Sequence, residues 1–192
     1  MSDVTITGAW PRHGQPFTVD DLDRMPDDGH RYELFDGTLI VSPAPGPAHQ
    51  RVAFVLCHIL ELACPETLIV LPDVGIRIAA ASALEPDVVV ARPTDASGAR
   101  LITAPPLVAE ILSPDSALRD LNLKKAAYER FGVPSYWVID PDLDRPGLRA
   151  FELADRAYTE VARVSGDEPF RATRPFPVQI VPGQLVAKLR SR

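Results

Sequence analysis

The stretch at residues 107–116, "LVAEILSPDS", decides how the rest of the chain is read. Leu107-Val108-Ala109 and Ile111-Leu112 form a short apolar run closed by Ser-Pro, which fits a strand covered on both faces of a sheet. Glu110 interrupts that run. An ionised carboxylate buried without a partner is strongly disfavoured, so Glu110 must find a cation, a set of donors, or a proton.

Further strands surround this one. "LIVLPD" (68–73), "VGIRIAA" (74–80), "DVVVARP" (87–93) and "SYWVIDP" (135–141) are β-branched or aromatic runs bounded by Pro, Gly or Asp, and a buried mixed sheet fits them best. Ahead of them, "RYELFDGTLIVS" (31–42) holds two β-prone runs around Asp36-Gly37, a strong hairpin signal. "FTVDDLDRM" (17–25) reads as a short helix capped by Thr18 and ended before Pro26. His49 to Ala63 carries Val52, Phe54, Val55, Leu56, Ile59, Leu60 and Leu62, a band wide enough to predict a helix largely enclosed by the fold. A second helix is expected from Asp115 or Ser116 to about Phe131, stopped by Gly132 and Pro134. The tail from Leu148, with "LRAFEL", "AYTEVARV", "FRATR" and "FPVQI", reads as an antiparallel extension or a set of edge strands. Together these elements predict an α/β or α+β sandwich, and 192 residues suit a single domain spanning 1–192.

Bulk properties narrow the function. A formal net charge of -6 repels phosphate backbones, so a nucleic-acid partner would have to be held by a local basic patch or through a metal. Cys57 and Cys64 lie about two helical turns apart, too far for a disulfide, and read as reduced core residues. No apolar run reaches the length of a membrane span and the N-terminus lacks a basic-then-apolar leader, so no membrane partner and a cytoplasmic location are expected. The chain carries no zinc-spaced Cys/His cluster, phosphate-binding glycine loop or Ser/His/Asp signature.

Chemistry gathers around Glu110. In "EPDVVVARP" (85–93), Asp87 opens an apolar strand; if that strand neighbours 107–112, the two carboxylates converge, and either one takes a proton or a divalent cation sits between them. On a helical plot, Ala117, Leu121, Lys124, Tyr128 and Phe131 share one stripe, which puts Lys124 on the core-facing side, with Asp120 one turn before it as a possible ion-pair partner. Glu33 has Arg31 and Phe35 as period-2 neighbours, and alternation alone does not decide its face. Plainer roles exist for each. Asp87 alone reads as a strand-entry turn residue, Glu110 as a structural bridge to Lys124 or Arg100, and Lys124 as a side chain reaching solvent beside Asp120. His49 could be a metal ligand but reads more simply as a cap or solvated residue at the helix start, and Tyr128, Tyr136 and Trp137 as core or subunit-contact aromatics.

In this order, "YELFDGTLIVSPAPGPAHQ", "EPDVVVARP", "LVAEILSPDS" and "DLNLKKAAYERFGVPSYWVIDP" resemble the Uma-two family of restriction-endonuclease-like proteins, within the PD-(D/E)XK nuclease superfamily; the match covers most of residues 31–141. The resemblance implies a restriction-endonuclease-like core at about 31–141 with an N-terminal hairpin and a C-terminal strand extension at about 147–192. It also implies an endonuclease that hydrolyses nucleic acid, with DNA the expected substrate and a homodimer the expected assembly; the alternatives are a catalytically inactive binding or assembly module of the same fold, or a hydrolase of smaller phosphate esters. Mg²⁺ or Mn²⁺ would be held by Asp87, Glu110 and the Ile111 carbonyl, with Lys124 as catalytic lysine and Glu33 as N-terminal acid. One departure from the superfamily stands out: the lysine is usually two residues beyond the second acid, where this chain has Leu112, so Lys124 on the following helix takes its place.

Overall fold

The structure is a computed structural model that describes residues 15–113 and 119–190. The hairpin forms where Asp36-Gly37 marks it, between β1 (His30–Phe35) and β2 (Thr38–Pro43). Asp36 and Gly37 both take positive φ, 45° and 81°, the backbone a two-residue turn requires to match strand twist. Ser82 Oγ receives the Asp36 N–H at 3.0 Å and donates to Asp36 Oδ1 at 3.0 Å, tying the turn to β5 (Ser82–Leu84). With β4 (Ile76–Ala79), these strands make a four-stranded sheet in the order β2-β1-β5-β4. The run at 74–80 therefore belongs to this smaller sheet and not to the central one. Helix α1 (Val19–Leu22) closes it from below, capped by Thr18 in a reciprocal box with Asp21, and buries Val19 and Leu22 against Leu34 and Ala83.

The central sheet has six strands in the order β10-β9-β8-β7-β6-β3: β3 (Ile69–Pro72), β6 (Val88–Ala91), β7 (Leu107–Ile111), β8 (Ser135–Asp140), β9 (Gly147–Ala154) and β10 (Ala157–Ser165). Only β7 and β8 run parallel, as the intervening helix demands; the other pairs are antiparallel. Every residue of β6 and β7 is buried, because alternating side chains meet helices on both faces. Val88, Val90, Leu107, Ala109, Ile111, Trp137 and Ile139 pack with α2 (Pro47–Ala63) and α4 (Pro182–Arg190). Val89, Val108, Tyr136, Val138 and Phe151 pack with α3 (Lys125–Phe131) and with Ile76 and Leu84 of the smaller sheet. The short strands β11 (Phe170–Ala172) and β12 (Val178–Ile180) pair with each other beside the first of these cores.

Two expectations are corrected. Helix α2 is not largely enclosed: Val52, Leu56 and Leu60 are fully buried along one stripe, whereas Phe54 is 63% and Leu62 77% exposed. The sheet covers only one side of it. The tail also ends in a helix, α4, in place of a further strand; Pro182 stands at its first turn and Leu185 and Val186 enter the core. The turn of Arg119–Lys124 is a π-helix that runs directly into α3, which Gly132 terminates at φ 89°. The expected start of this helix at Asp115 or Ser116 lies outside the described residues, as does the side chain of Asp120.

The burial pattern of α2 predicts that Leu56→Ala lowers the free energy of unfolding by about 2–5 kcal/mol, while Phe54→Ala changes it by no more than about 0.5 kcal/mol; paired urea denaturation curves measure both.

Candidate active site

Four elements meet at the end of the central sheet where β6 begins and β7 finishes. β1 brings Arg31 and Glu33 to the same side, since they are two residues apart on a strand. The Glu85-Pro86-Asp87 connection carries the chain from the smaller sheet into β6. β7 supplies Glu110 and Ile111, and the π-turn and α3 supply Lys124 and Tyr128.

Lys124 is only 7% exposed and holds one half of the site together. Its Nζ lies 2.9 Å from Glu33 Oε1 and 3.1 Å from Glu110 Oε1. Tyr128, one turn further along the helix, donates its hydroxyl to Glu110 Oε1 at 2.8 Å. Burial and the neighbouring Glu110 charge push the Tyr128 hydroxyl well above its ordinary pKa, so it remains a donor. Glu33 Oε1 also receives the Glu85 N–H at 2.8 Å. The Glu85 carboxyl is itself driven upward by burial, and Arg31 opposes this while Glu33 reinforces it.

Asp87 is fixed by a separate set of groups. Arg31 Nη1 donates to Oδ1 at 2.8 Å, and the Ile111 N–H donates to Oδ2 at 2.7 Å. His49 Nε2, from the first turn of α2, lies 3.2 Å from Oδ2 and 3.0 Å from the Ile111 carbonyl oxygen. Burial alone would raise the Asp87 pKa, but His49, Arg31 and the Ile111 N–H together hold it below the usual carboxylate range. Arg31 continues outward to Asp73 at the rim.

The structure thus gathers Glu33, Glu110 and Lys124 into one buried cluster and sets Asp87 beside it, at the entry to the adjoining antiparallel strand, where Asp87 bonds the N–H of Ile111, the residue after Glu110. Glu110 is bonded to Lys124 and not to Arg100, which pairs with Asp23. Glu33 takes the inward face that its sequence left open. Among the described residues no three His, Cys, Asp or Glu side chains stand close enough together to cage a metal ion. The oxygens that do share a centre are Asp87 Oδ2 and the Ile111 carbonyl, both directed at His49 Nε2. These are hard donors of the type Mg²⁺ and Mn²⁺ prefer. Charge points the same way: among the described residues Glu33, Glu85, Asp87 and Glu110 outnumber the cations Arg31 and Lys124, with Arg100 acting on Glu85 as well, and this acidic excess favours a bound cation.

The sequence assigns no site role to Arg31 or Glu85 and does not show the bond made by Tyr128, and for His49 it favours a helix-start role over metal ligation. Signals for two of them were present: Arg31 is the period-2 neighbour of Glu33, and Tyr128 follows Lys124 on the same stripe.

Comparison with known proteins agrees with this architecture. The family described as Uma2, "Putative restriction endonuclease", matches residues 19–185. A solved structure described as a putative nuclease belonging to DUF820, from Anabaena variabilis ATCC 29413, superposes with a TM-score of 0.70 at 19% identity, covering 91% of this chain and 99% of the other. At that identity the likeness shows the fold alone: a mixed α+β, nuclease-like core. No curated protein is similar enough to match. With a family match that spans most of its length, this chain belongs to the Uma2 family of restriction-endonuclease-like proteins.

Proposed function

We propose that the chain is a metal-dependent endonuclease that hydrolyses phosphodiester bonds of DNA, with its lysine carried by the helix after β7. The observation that supports this reading is the meeting of Lys124 with Glu110 and Glu33 in a buried corner next to Asp87. In this reading Asp87, Glu110 and the Ile111 carbonyl would hold Mg²⁺ or Mn²⁺, which would supply Lewis acidity toward water and phosphate. The remaining work falls to the chain. Arg31 keeps Asp87 Oδ1 engaged and so orients Oδ2 toward the centre. Tyr128 donates to Glu110 and so keeps its carboxyl group aimed. Lys124 would orient the attacking water by its ammonium, and Glu33 anchors Lys124 from the other side. Attack on phosphorus would form one P–O bond and break the bond to the leaving sugar oxygen, with the water's proton passing to solvent and the leaving oxygen taking a proton from solvent. A symmetric pair of chains would address the two strands of a duplex.

A second reading has an observation of its own. Lys124 is closed between two carboxylates, the arrangement expected of an idle member of the fold that serves as a binding or assembly module. Cleavage and metal binding separate the two. The endonuclease reading predicts that plasmid DNA is cut in Mg²⁺ or Mn²⁺, that EDTA stops cutting, and that Asp87→Asn and Lys124→Gln each slow it by about 100-fold or more. RNA and small phosphate esters run in parallel identify the preferred substrate. No turnover of any of them, together with no Mn²⁺ binding by calorimetry, would leave the module. The buried bridge also has a stability consequence: Lys124→Met leaves Glu33 and Glu110 facing one another without their cation and should cost about 3–5 kcal/mol in urea denaturation.

A further inference from the structure

His49 occupies the point at which the site's oxygens converge. Its ring comes from the first turn of α2, behind Pro47, and the helix is fixed to the sheet by Val52 and Leu56. The side chain is 14% exposed, so its position is set by packing. Nε2 faces two oxygens at once, Asp87 Oδ2 at 3.2 Å and the Ile111 carbonyl at 3.0 Å. Nδ1 is buried with no hydrogen-bond partner among the described residues.

Hydrogen bonding alone meets these demands poorly. With its proton on Nε2 the imidazole must share one N–H between two acceptors, and its buried Nδ1 lone pair is left without a donor among the described residues. With the proton on Nδ1, a bare nitrogen would face two oxygen lone pairs. A cation between the three atoms satisfies them together. The spacing is suitable as well: adjacent ligands of an octahedral ion with bonds of about 2.1 Å stand about 3.0 Å apart, close to both observed N···O distances.

We propose that His49 Nε2 is a protein ligand of the divalent metal, alongside Asp87 and the Ile111 carbonyl. The inference rests on the endonuclease reading above and adds a nitrogen to an otherwise all-oxygen set. Mg²⁺ keeps an oxygen shell and gives up its waters reluctantly, so a site with one imidazole should favour Mn²⁺ over Mg²⁺. Arg31, by occupying Asp87 Oδ1, confines the metal to Oδ2 and to the side on which His49 lies.

The test uses the full chain and Mn²⁺ alone, without nucleic acid. Calorimetry gives affinity, and pulsed electron paramagnetic resonance of bound Mn²⁺ reports directly coupled nitrogen, assigned to histidine with ¹⁵N-histidine-labelled protein. The expected result is an imidazole nitrogen coupling in the natural protein, with His49→Gln losing that coupling and binding Mn²⁺ about 10–100-fold more weakly. Circular dichroism checks that the variant is folded, and the spectrum of the natural protein decides the matter if it is not. Mn²⁺ binding that is abolished by Asp87→Asn but shows no histidine coupling would overturn the role of His49 and leave the Asp87 metal site standing. Failure of the natural protein to bind Mn²⁺ would overturn both.

Discussion

The arrangement depends on one buried ammonium. Lys124 Nζ touches Glu33 on β1 and Glu110 on β7, and so joins the smaller sheet, the central sheet and the helix that crosses between β7 and β8. Three charges in so dry a setting are not an economical source of stability, because the cost of taking ions out of water rivals their mutual attraction, and apolar replacements of similar volume often serve a fold as well or better. Hydrophobic contact between the two sheets is already available from Ile76, Leu84, Val89 and Val108. What the ammonium adds is position. It holds two carboxylates at defined points that neither sheet could fix alone, while Tyr128 sets the orientation of Glu110.

The second half of the corner is built on a different principle. Asp87 is stationed by a proline that ends one sheet's strand before the next begins, and its oxygens are met by a backbone N–H, a guanidinium and an imidazole that come from three directions. The backbone bond is the decisive one. A carboxylate that accepts the N–H of Ile111 is registered against β7 itself, and so moves with the strand that carries Glu110. Loss of any side-chain partner would leave that registration intact.

How much of this the sequence revealed follows from the range of each interaction. Local chemistry was legible: Asp36-Gly37 dictated its turn, Thr18 its capping box, and Glu110 disclosed itself by interrupting an apolar strand. Lys124 was legible because its stripe is set by helical spacing. The partners of Arg31 and His49 were not, since they lie 56 and 62 residues away and neither residue breaks its local pattern. The exposed Phe54 and Leu62 misled for a related reason: an apolar band gives the width of a hydrophobic face but not how much of it the fold covers. Run 74–80 has the same β-branched texture as its neighbours, so texture could not assign it to the smaller sheet, and the Pro-Gly pair that opens α4 has the look of a turn.

Charge supplies the last link between this corner and a reaction. The chain carries a net charge of -6, and among the described residues carboxylates outnumber cations at the site. A phosphodiester approaching such a surface is repelled both at long range and at contact. On the proposed reading a divalent cation must therefore enter first, since it alone reverses the sign of the potential that the phosphate meets. The same excess that would oppose the substrate is what draws the cation, so the acidic character of the protein, which counts against a general nucleic-acid binder, suits a catalyst that engages DNA only through its metal.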